Sequence, residues 1–275
     1  MGSVVVPAHN EASVIRRTLE PLGALALSDR IDLIVAANGC SDATVEVARG
    51  VPGVRVLDLP EASKVAALNA AEAATDRFPR MYLDADIEIH PDAVIAVLRA
   101  LDDGPELAAR PPFVYDTVGA SWLVRSYFRA RMRLPSNTQA LWGAGCYALS
   151  RAARERFGEF PPLIADDLFV DWLFHASEKR VVPTTPVVVR VPRTAAALRS
   201  VLRRTYSGNA QLEQQPAPVA DLVPSRTSNA RDLTGSVRSL STFIDACVYL
   251  AFVVLARVHA RRPTSGWSRD HSTRS

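Results

Sequence analysis

Strand and helix patterns alternate four times within the first hundred residues, and this alternation constrains the fold more than any other feature. Val4–Val6 is a short β-branched run ending at Pro7. Ala12–Leu22 has helical spacing, with Val14, Ile15, Leu19 and Leu22 on one face. Asp32–Ala37, Val54–Leu59 and Met81–Leu83 read as the second, third and fourth strands. Between and after them Asp42–Arg49, Lys64–Ala74 and Pro91–Leu101 read as helices. Ser41 is the expected cap of the first of these, and Pro91 opens the last, where a missing N–H costs little. Repeated strand–helix units of this kind build a parallel sheet covered by helices on both faces. Ligands on such sheets bind at the carboxyl ends of the strands, which directs attention to Pro7–Glu11, Ala37–Asp42 and Asp84–Glu88.

The second half is less regular. Pro105–Pro112 reads as a boundary, and Ser121–Leu134 as a helix with Arg125, Arg129 and Arg133 four residues apart. Trp142–Leu149 is Gly-rich and apolar. Asp166–Ala176 reads as a helix opening with acids, Val187–Val191 as a strand, Ala195–Gln211 as a basic helix and Pro216–Asp232 as a linker. With 275 residues, 48% of them apolar, the chain can bury a sizeable core. A net charge of +3 gives no ground for expecting nucleic acid as a partner. Three widely spaced cysteines make neither a disulfide framework nor a zinc site, so a reducing compartment is expected. No basic region or cleavage site precedes Val4, so no signal peptide is expected.

Three segments could carry chemistry. In Leu83-Asp84-Ala85-Asp86-Ile87, two acids sit one residue apart directly after an apolar strand. An extended backbone would aim both carboxylates the same way, and a divalent cation shared with a diphosphate would relieve their repulsion. A solvated strand end is the plainer alternative. In Ile164-Ala165-Asp166-Asp167-Leu168, the paired acid can simply favour a helix N-terminus, or one member can act as a general base. Pro7-Ala8-His9-Asn10-Glu11 stands where a dinucleotide site would carry Gly-x-Gly-x-x-Gly, and neither that signature nor a Walker loop is present.

Taken in order, Val5-Val6-Pro7-Ala8-His9-Asn10-Glu11, Ala37-Asn38-Gly39-Cys40-Ser41-Asp42-Ala43-Thr44, Lys64-Val65-Ala66-Ala67-Leu68-Asn69 and Leu83-Asp84-Ala85-Asp86 resemble family 2 glycosyltransferases. The resemblance spans residues 3–101 and continues more weakly through Gly143-Ala144-Gly145-Cys146 and Ala165-Asp166-Asp167-Leu168 to about residue 210. It implies an α/β fold of the GT-A type: a mostly parallel, Rossmann-like sheet flanked by helices, here with a C-terminal helical extension. It implies an inverting, non-processive transferase using a nucleotide-diphosphate sugar, because the Gln-x-x-Arg-Trp motif of processive members is not reproduced.

Residue by residue, the resemblance places Pro7, His9 and Glu11 along the base and ribose, and Asn38 where the family usually has an Asp that contacts the base. Asn can both donate and accept, so contact with the base is expected while the identity of the base is left open. Lys64, Asn69 and Ala85 fall near the nucleotide sugar, and Trp142, Gly143 and Gly145 in the acceptor and donor pocket. Asp84 and Asp86 match the metal motif, with Mn²⁺ or Mg²⁺ as cofactor. Asp166 and Asp167 match the usual Glu-Asp pair, whose second member is the base. Arg203, Arg204 and Tyr206 could hold a diphosphate through charge-assisted bonds, or form a solvated helix face.

The expected organisation is a nucleotide-sugar half over 1–104, an acceptor and catalytic half over 105–215, a linker over 216–238, an apolar helix over 239–262 and a disordered tail over 263–275. Leu240–Ala256 is 17 residues long, is interrupted by Asp245 and is closed by Arg257, which suits a packed core or oligomer helix, or a membrane-associated one, better than a span. The arginines of Ser121–Leu134 could face anionic lipid, an acceptor phosphate or water. A cytoplasmic protein is expected, with peripheral contact at the inner face of the cell membrane and homo-oligomerisation both left open. A nucleotidyltransferase and a non-catalytic nucleotide-sugar-binding protein are the alternatives. The first should carry a Gly-rich basic signature after the first strand, and the second need not retain Asp84, Asp86 and Asp167.

Overall fold

A computed structural model describes residues 2–135, 139–163, 165–213 and 226–260. The linker expected over 216–238 lies outside them as far as residue 225, and so does the tail over 263–275. The described chain forms two compact units. The first takes the described residues within Met1–Val114, Leu141–Pro162 and Leu173–Val189; the second takes those within Tyr115–Ala140, Leu163–Trp172 and Arg190–Ser275.

In the first unit the expected alternation is present. Strands β1 (Ser3–Ala8), β2 (Asp32–Asn38), β3 (Val54–Leu59) and β4 (Arg80–Leu83) alternate with helices α1 (Ile15–Leu27), α2 (Thr44–Arg49) and α3 (Lys64–Ala73), and α4 (Pro91–Asp103) follows. These strands pair in parallel, with Val4 opposite both Leu33 and Met81. β1 is buried along its whole length, as a central strand covered on both faces must be. Helix starts follow local chemistry. The Ser63 hydroxyl accepts from Ala66 N at 3.1 Å before α3, and His90 caps α4, with Pro91 at its first position. The expected Ser41 cap is corrected: α2 begins at Thr44, and Asp42 Oδ1 accepts from Thr44 N at 3.0 Å instead.

Pro105–Pro112 is not a boundary of the sheet. β5 (Ala108–Arg110) lies within it, and the whole sheet runs β3-β2-β1-β4-β7-β5-β8. β7 (Cys146–Leu149) supplies the antiparallel member between β4 and β5, and β8 (Lys179–Val181) pairs in parallel with β5. A second, two-stranded sheet joins β6 (Phe113–Asp116) and β9 (Val187–Arg190). β1 and β4 are adjacent, while β2 and β3 extend to the other side of β1. The strand order therefore reverses at β1/β4, where open α/β sheets bind their ligands.

The second unit is helical. It holds α5 (Trp122–Met132), α7 (Asp166–Trp172), α8 (Ala195–Glu213), α9 (Arg226–Gly235) and α10 (Leu240–Ala260); the short α6 (Arg151–Arg154) belongs to the first unit. α9 falls inside the stretch expected to be a linker, and its Leu233 is buried. Tyr127 sits at the centre of this unit's core, stacked on Tyr249 at 5.1 Å between centroids and edge-on to Phe252 at 5.7 Å. The arginine stripe is only in part a solvated face. Arg129 and Arg133 reach Asp245 of α10 at 2.7 and 3.2 Å, and the Ser126 hydroxyl donates to the same carboxylate at 2.6 Å. Burial by itself would raise the Asp245 carboxyl, but the bonds from Arg129, Ser126 and Arg133 prevail and hold it below its ordinary value.

Candidate functional site

The loop after β1 and the loop after β2 are stitched together. Asn10 Oδ1 accepts from Ser41 N at 2.6 Å and Asp42 N at 3.1 Å, and Asn10 Nδ2 donates to Ser41 Oγ at 3.1 Å. Asn10 itself has φ +55°, a left-handed conformation that Asn tolerates because its short amide can bond locally. Glu11 N donates to Thr44 Oγ1 at 2.6 Å, and the His9 ring Nδ1 lies 2.5 Å from Asn38 O. Gly39, at φ +54°, is obligatory: a Cβ there would stand 2.6 Å from Ala62 Cβ. The family resemblance singles out His9 and Glu11 but not Asn10, Asp42 and Thr44, which build the cradle. The Asx- and ST-type residues clustered after two strands were the available signal.

Asn38 is 1% exposed. Its Nδ2 donates to Ala8 O at 2.8 Å and to Ala36 O at 3.3 Å, fastening the ends of β1 and β2. Its Oδ1 is buried and has no hydrogen-bond partner among the described residues. An Asp here would set a carboxylate against two carbonyl oxygens, so the amide is what this backbone accommodates.

Across the β1/β4 reversal, residues 84–87 form a turn, with Ile87 N donating to Asp84 O at 3.2 Å. The extended geometry expected for Asp84 and Asp86 is therefore corrected: a turn, not strand alternation, carries both acids. The turn is held from three sides. Asp84 N donates to Gly145 O at 2.8 Å, the Thr18 hydroxyl donates to the buried Ala85 O at 2.8 Å, and Lys64 Nζ donates to Asp84 Oδ1 at 2.9 Å. Gly145, at φ +66°, presses on this turn; a Cβ would lie 2.4 Å from Ile87 Cγ1 and 3.4 Å from Asp84 Oδ2. Asp84 and Asp86 are both half-buried. Next to Gly145, burial pushes the Cys146 thiol up to about 12, which makes it a packing group rather than a nucleophile.

Of the other expected site residues, Pro7 is buried in β1, opposite Ala36. Trp142 and Gly143 are half-buried in the segment leading to β7, where Gly143 has φ +89°. Asn69 clasps the backbone of Phe160 from both sides, accepting from its N–H at 2.8 Å and donating to its carbonyl at 3.3 Å. In the second unit, Asp166 and Asp167 open α7; Asp166 is buried, and Asp167 Oδ1 accepts from Leu168 N at 2.8 Å. On α8, Arg203 is exposed, Arg204 half-buried, and the Tyr206 ring lies 5.4 Å beneath the Arg257 guanidinium. The first unit thus gathers Pro7, His9, Glu11, Asn38, Lys64, Asp84, Ala85 and Asp86 at one edge of its sheet, and the second holds Asp166, Asp167, Arg203, Arg204 and Tyr206.

Among the described residues no three metal-ligating side chains cluster. Two half-buried carboxylates at a strand's end nevertheless suit a hard cation such as Mn²⁺ or Mg²⁺ when substrate oxygens complete the coordination, so the donor set fits a metal shared with a diphosphate.

By overall structure the chain is similar to a mannosyltransferase from Pyrobaculum calidifontis solved with GDP-Man and Mn²⁺, at TM-score 0.64 and 18% identity, covering 94% of this chain and 86% of that one. It is also similar to glucosyl-3-phosphoglycerate synthase from Mycobacterium tuberculosis solved with Mn²⁺, UDP and glucosyl-3-phosphoglycerate, at TM-score 0.57 and 24% identity, covering 76% and 77%. These likenesses establish the GT-A fold. Comparison with curated proteins by sequence gives no match. The profile of glycosyl transferase family 2 matches residues 3–157, which takes in β1 to β4, the stitched loops and the Asp84–Ile87 turn, so the chain belongs to glycosyl transferase family 2 and is a glycosyltransferase.

Proposed function

We propose that the enzyme moves a sugar, with inversion, from a nucleotide-diphosphate donor to an acceptor hydroxyl, with Asp167 as general base. The observation that carries this reading is the Asp84–Ile87 turn at the β1/β4 reversal, pinned by Gly145, Thr18 and Lys64 beside the stitched His9–Thr44 loops. The neighbours solved with GDP-Man or UDP and Mn²⁺ support a donor of this class. Asp84 and Asp86 would hold Mn²⁺ or Mg²⁺, which when bound supplies positive charge to the departing diphosphate. Lys64, already on Asp84, adds a cation from the chain itself. His9, Glu11 and Asn38 line the base and ribose, and the orphan Oδ1 of Asn38 is an acceptor for a donor group of the base. Arg203 and Arg204 contribute further charge toward phosphate.

Asp167 takes the hydroxyl proton of the acceptor. The new bond forms from that oxygen to the anomeric carbon, while the bond from the anomeric carbon to the diphosphate oxygen breaks on the opposite face. Asp166 sits beside the base and shapes its surroundings. Trp142, Gly143 and Gly145 border the sugar.

Thermal unfolding against UDP, GDP and dTDP, each with Mn²⁺, Mg²⁺ or chelator, tests the donor assignment. A ligand at 100 times its Kd stabilises by about 2.7 kcal/mol. A metal-dependent shift with one nucleotide, lost in Asp86→Ala, is expected; no shift with any of them refutes it. Asp167→Asn should slow turnover by about 10²–10⁴ while leaving that shift intact. Full turnover in Asp167→Asn would remove the base from Asp167.

A further inference from the structure

α10 has two faces of different character. Its inner face, with Asp245, Ala246, Tyr249, Phe252, Val253 and Ala256, is buried in the second unit. Its outer face exposes Leu240, Phe243, Ile244, Leu250, Val254 and Val258, from 38% to 75% of their surface. Phe243 and Ile244 are neighbours, and with the exposed Cys247 between Ile244 and Leu250 the other steps are three to four residues, which makes an apolar stripe about 27 Å long at 1.5 Å per residue. Apart from the buried Asp245, the only charge between Leu240 and Val258 is Arg257. Single exposed apolar residues are ordinary, but a stripe of this length marks an interaction surface.

α5 packs against α10 and adds exposed apolar side chains of its own. Arg133 donates to Thr242 O, Ser126 to Asp245, and Tyr127 stacks on Tyr249, so the two helices run antiparallel. Trp122 stands one turn ahead of Ser126 on the α5 face that meets α10, and it and Leu123 are 51% and 40% exposed. The exposed surface of these two helices thus carries a Trp, aliphatic side chains and two exposed arginines, Arg125 and Arg257. That combination suits the boundary between lipid headgroups and acyl chains.

Charge decides between occupants. The described residues of the second unit include 13 basic and 7 acidic ones, net +6; those of the first include 15 and 20, net −5. A second copy meeting this face would set positive unit against positive unit, whereas an anionic lipid surface complements it. By length and composition Leu240–Val258 could also cross a bilayer. Crossing would carry Asp245 with Arg129 and Arg133 into hydrocarbon, or break the bonds that dock α10 on α5. We infer that α10 and the first turn of α5 dock the enzyme flat on an anionic phospholipid surface.

Flotation of the full chain with vesicles of phosphatidylcholine alone, or mixed 3:1 with phosphatidylglycerol, tests this. Binding to the mixed vesicles should be at least ~10-fold stronger than to the neutral ones and should fall as salt rises. Phe243→Glu/Leu250→Glu, at positions already in water, should lose it by a similar factor while melting like the parent. An environment-sensitive dye on the exposed Cys247, in a Cys40→Ser background, should shift to the blue and become shielded from aqueous quencher only with the mixed vesicles. Absence of flotation with the mixed vesicles overturns the inference, as does binding that ignores both lipid charge and the double substitution. Reversible dimerisation abolished by Phe243→Glu/Leu250→Glu, in a chain that stays off vesicles, would assign the face to a second copy instead.

Discussion

Asp245 and its arginines make a quantitative prediction, because the two sides of the ion pair differ in their access to water. The Asp245 side chain is 4% exposed, while Arg129 and Arg133 are 50% and 25% exposed. Removing the carboxylate strands two cations that can turn outward. Removing the cations strands a carboxylate that cannot. Asp245→Asn should therefore cost about 1–3 kcal/mol, the worth of the lost charge-assisted bonds. Arg129→Met/Arg133→Met should cost about 3–5 kcal/mol, the usual penalty for leaving a buried charge without its partner. At roughly 2–4 °C per kcal/mol for a chain of this size, the double variant should melt about 6–20 °C below the parent.

The pH dependence separates this from general loss of packing. In the parent the Asp245 carboxyl is held below its ordinary value, so its contribution is complete above the unfolded pKa and is lost as pH falls through the lowered one. In the arginine-free variant burial, the largest influence, is opposed only by the Ser126 hydroxyl and raises it. Its unfavourable contribution is then absent below the unfolded pKa and grows as pH rises through the raised value. Melting followed by circular dichroism at pH 5 and pH 7 should show the gap between variant and parent narrowing at pH 5. A gap that is the same at both pH values, or an Asp245→Asn variant less stable than the double variant, would refute the reasoning.

Three further outcomes are expected. Tyr127 Oη is buried without a hydrogen-bond partner among the described residues, so Tyr127→Phe should be neutral or stabilise by about 1 kcal/mol in denaturant titration. Gly145→Ala combines a left-handed backbone, about 1–2 kcal/mol, with a Cβ 2.4 Å from Ile87, about 1–3 kcal/mol. It should lower the melting midpoint and weaken nucleotide binding together, and isothermal titration that finds unchanged affinity would show the Asp84–Ile87 turn to be indifferent to Gly145. Of the three thiols, Cys247 should react with a disulfide reagent in the native protein at pH 8, while Cys146, buried with its thiol pushed up to about 12, should react only on unfolding.

The βα alternation was legible because strands buried on both faces leave continuous apolar runs, and Val4–Val6 and Leu33–Ala37 are such runs. The rest of the sheet was not. β5, β7 and β8 have three or four residues each, too few to display a period, and β7 reaches its place by antiparallel pairing with β4, more than sixty residues earlier in sequence. The expectation of a linker over 216–238 follows from the polarity of Arg226–Gly235, in which Leu233 is a buried apolar side chain.

At the site, spacing located the loops but not the direction of each side chain. Asn38 and Asn69 stand where the family resemblance places nucleotide contacts, yet the amide nitrogen of each is bonded to backbone carbonyls. An amide is the side chain best suited to that work, since it can satisfy an N–H and a carbonyl at once, as Asn69 does on Phe160. Asn38 does half of it and leaves a buried acceptor over, which costs about 1–3 kcal/mol wherever no donor meets it. A nucleotide base that brought an N–H to that oxygen would recover this energy on binding. At the proposed donor site, the Asn at position 38 would favour a base presenting a donor there while still tying β1 to β2, two tasks that Asp could not perform together.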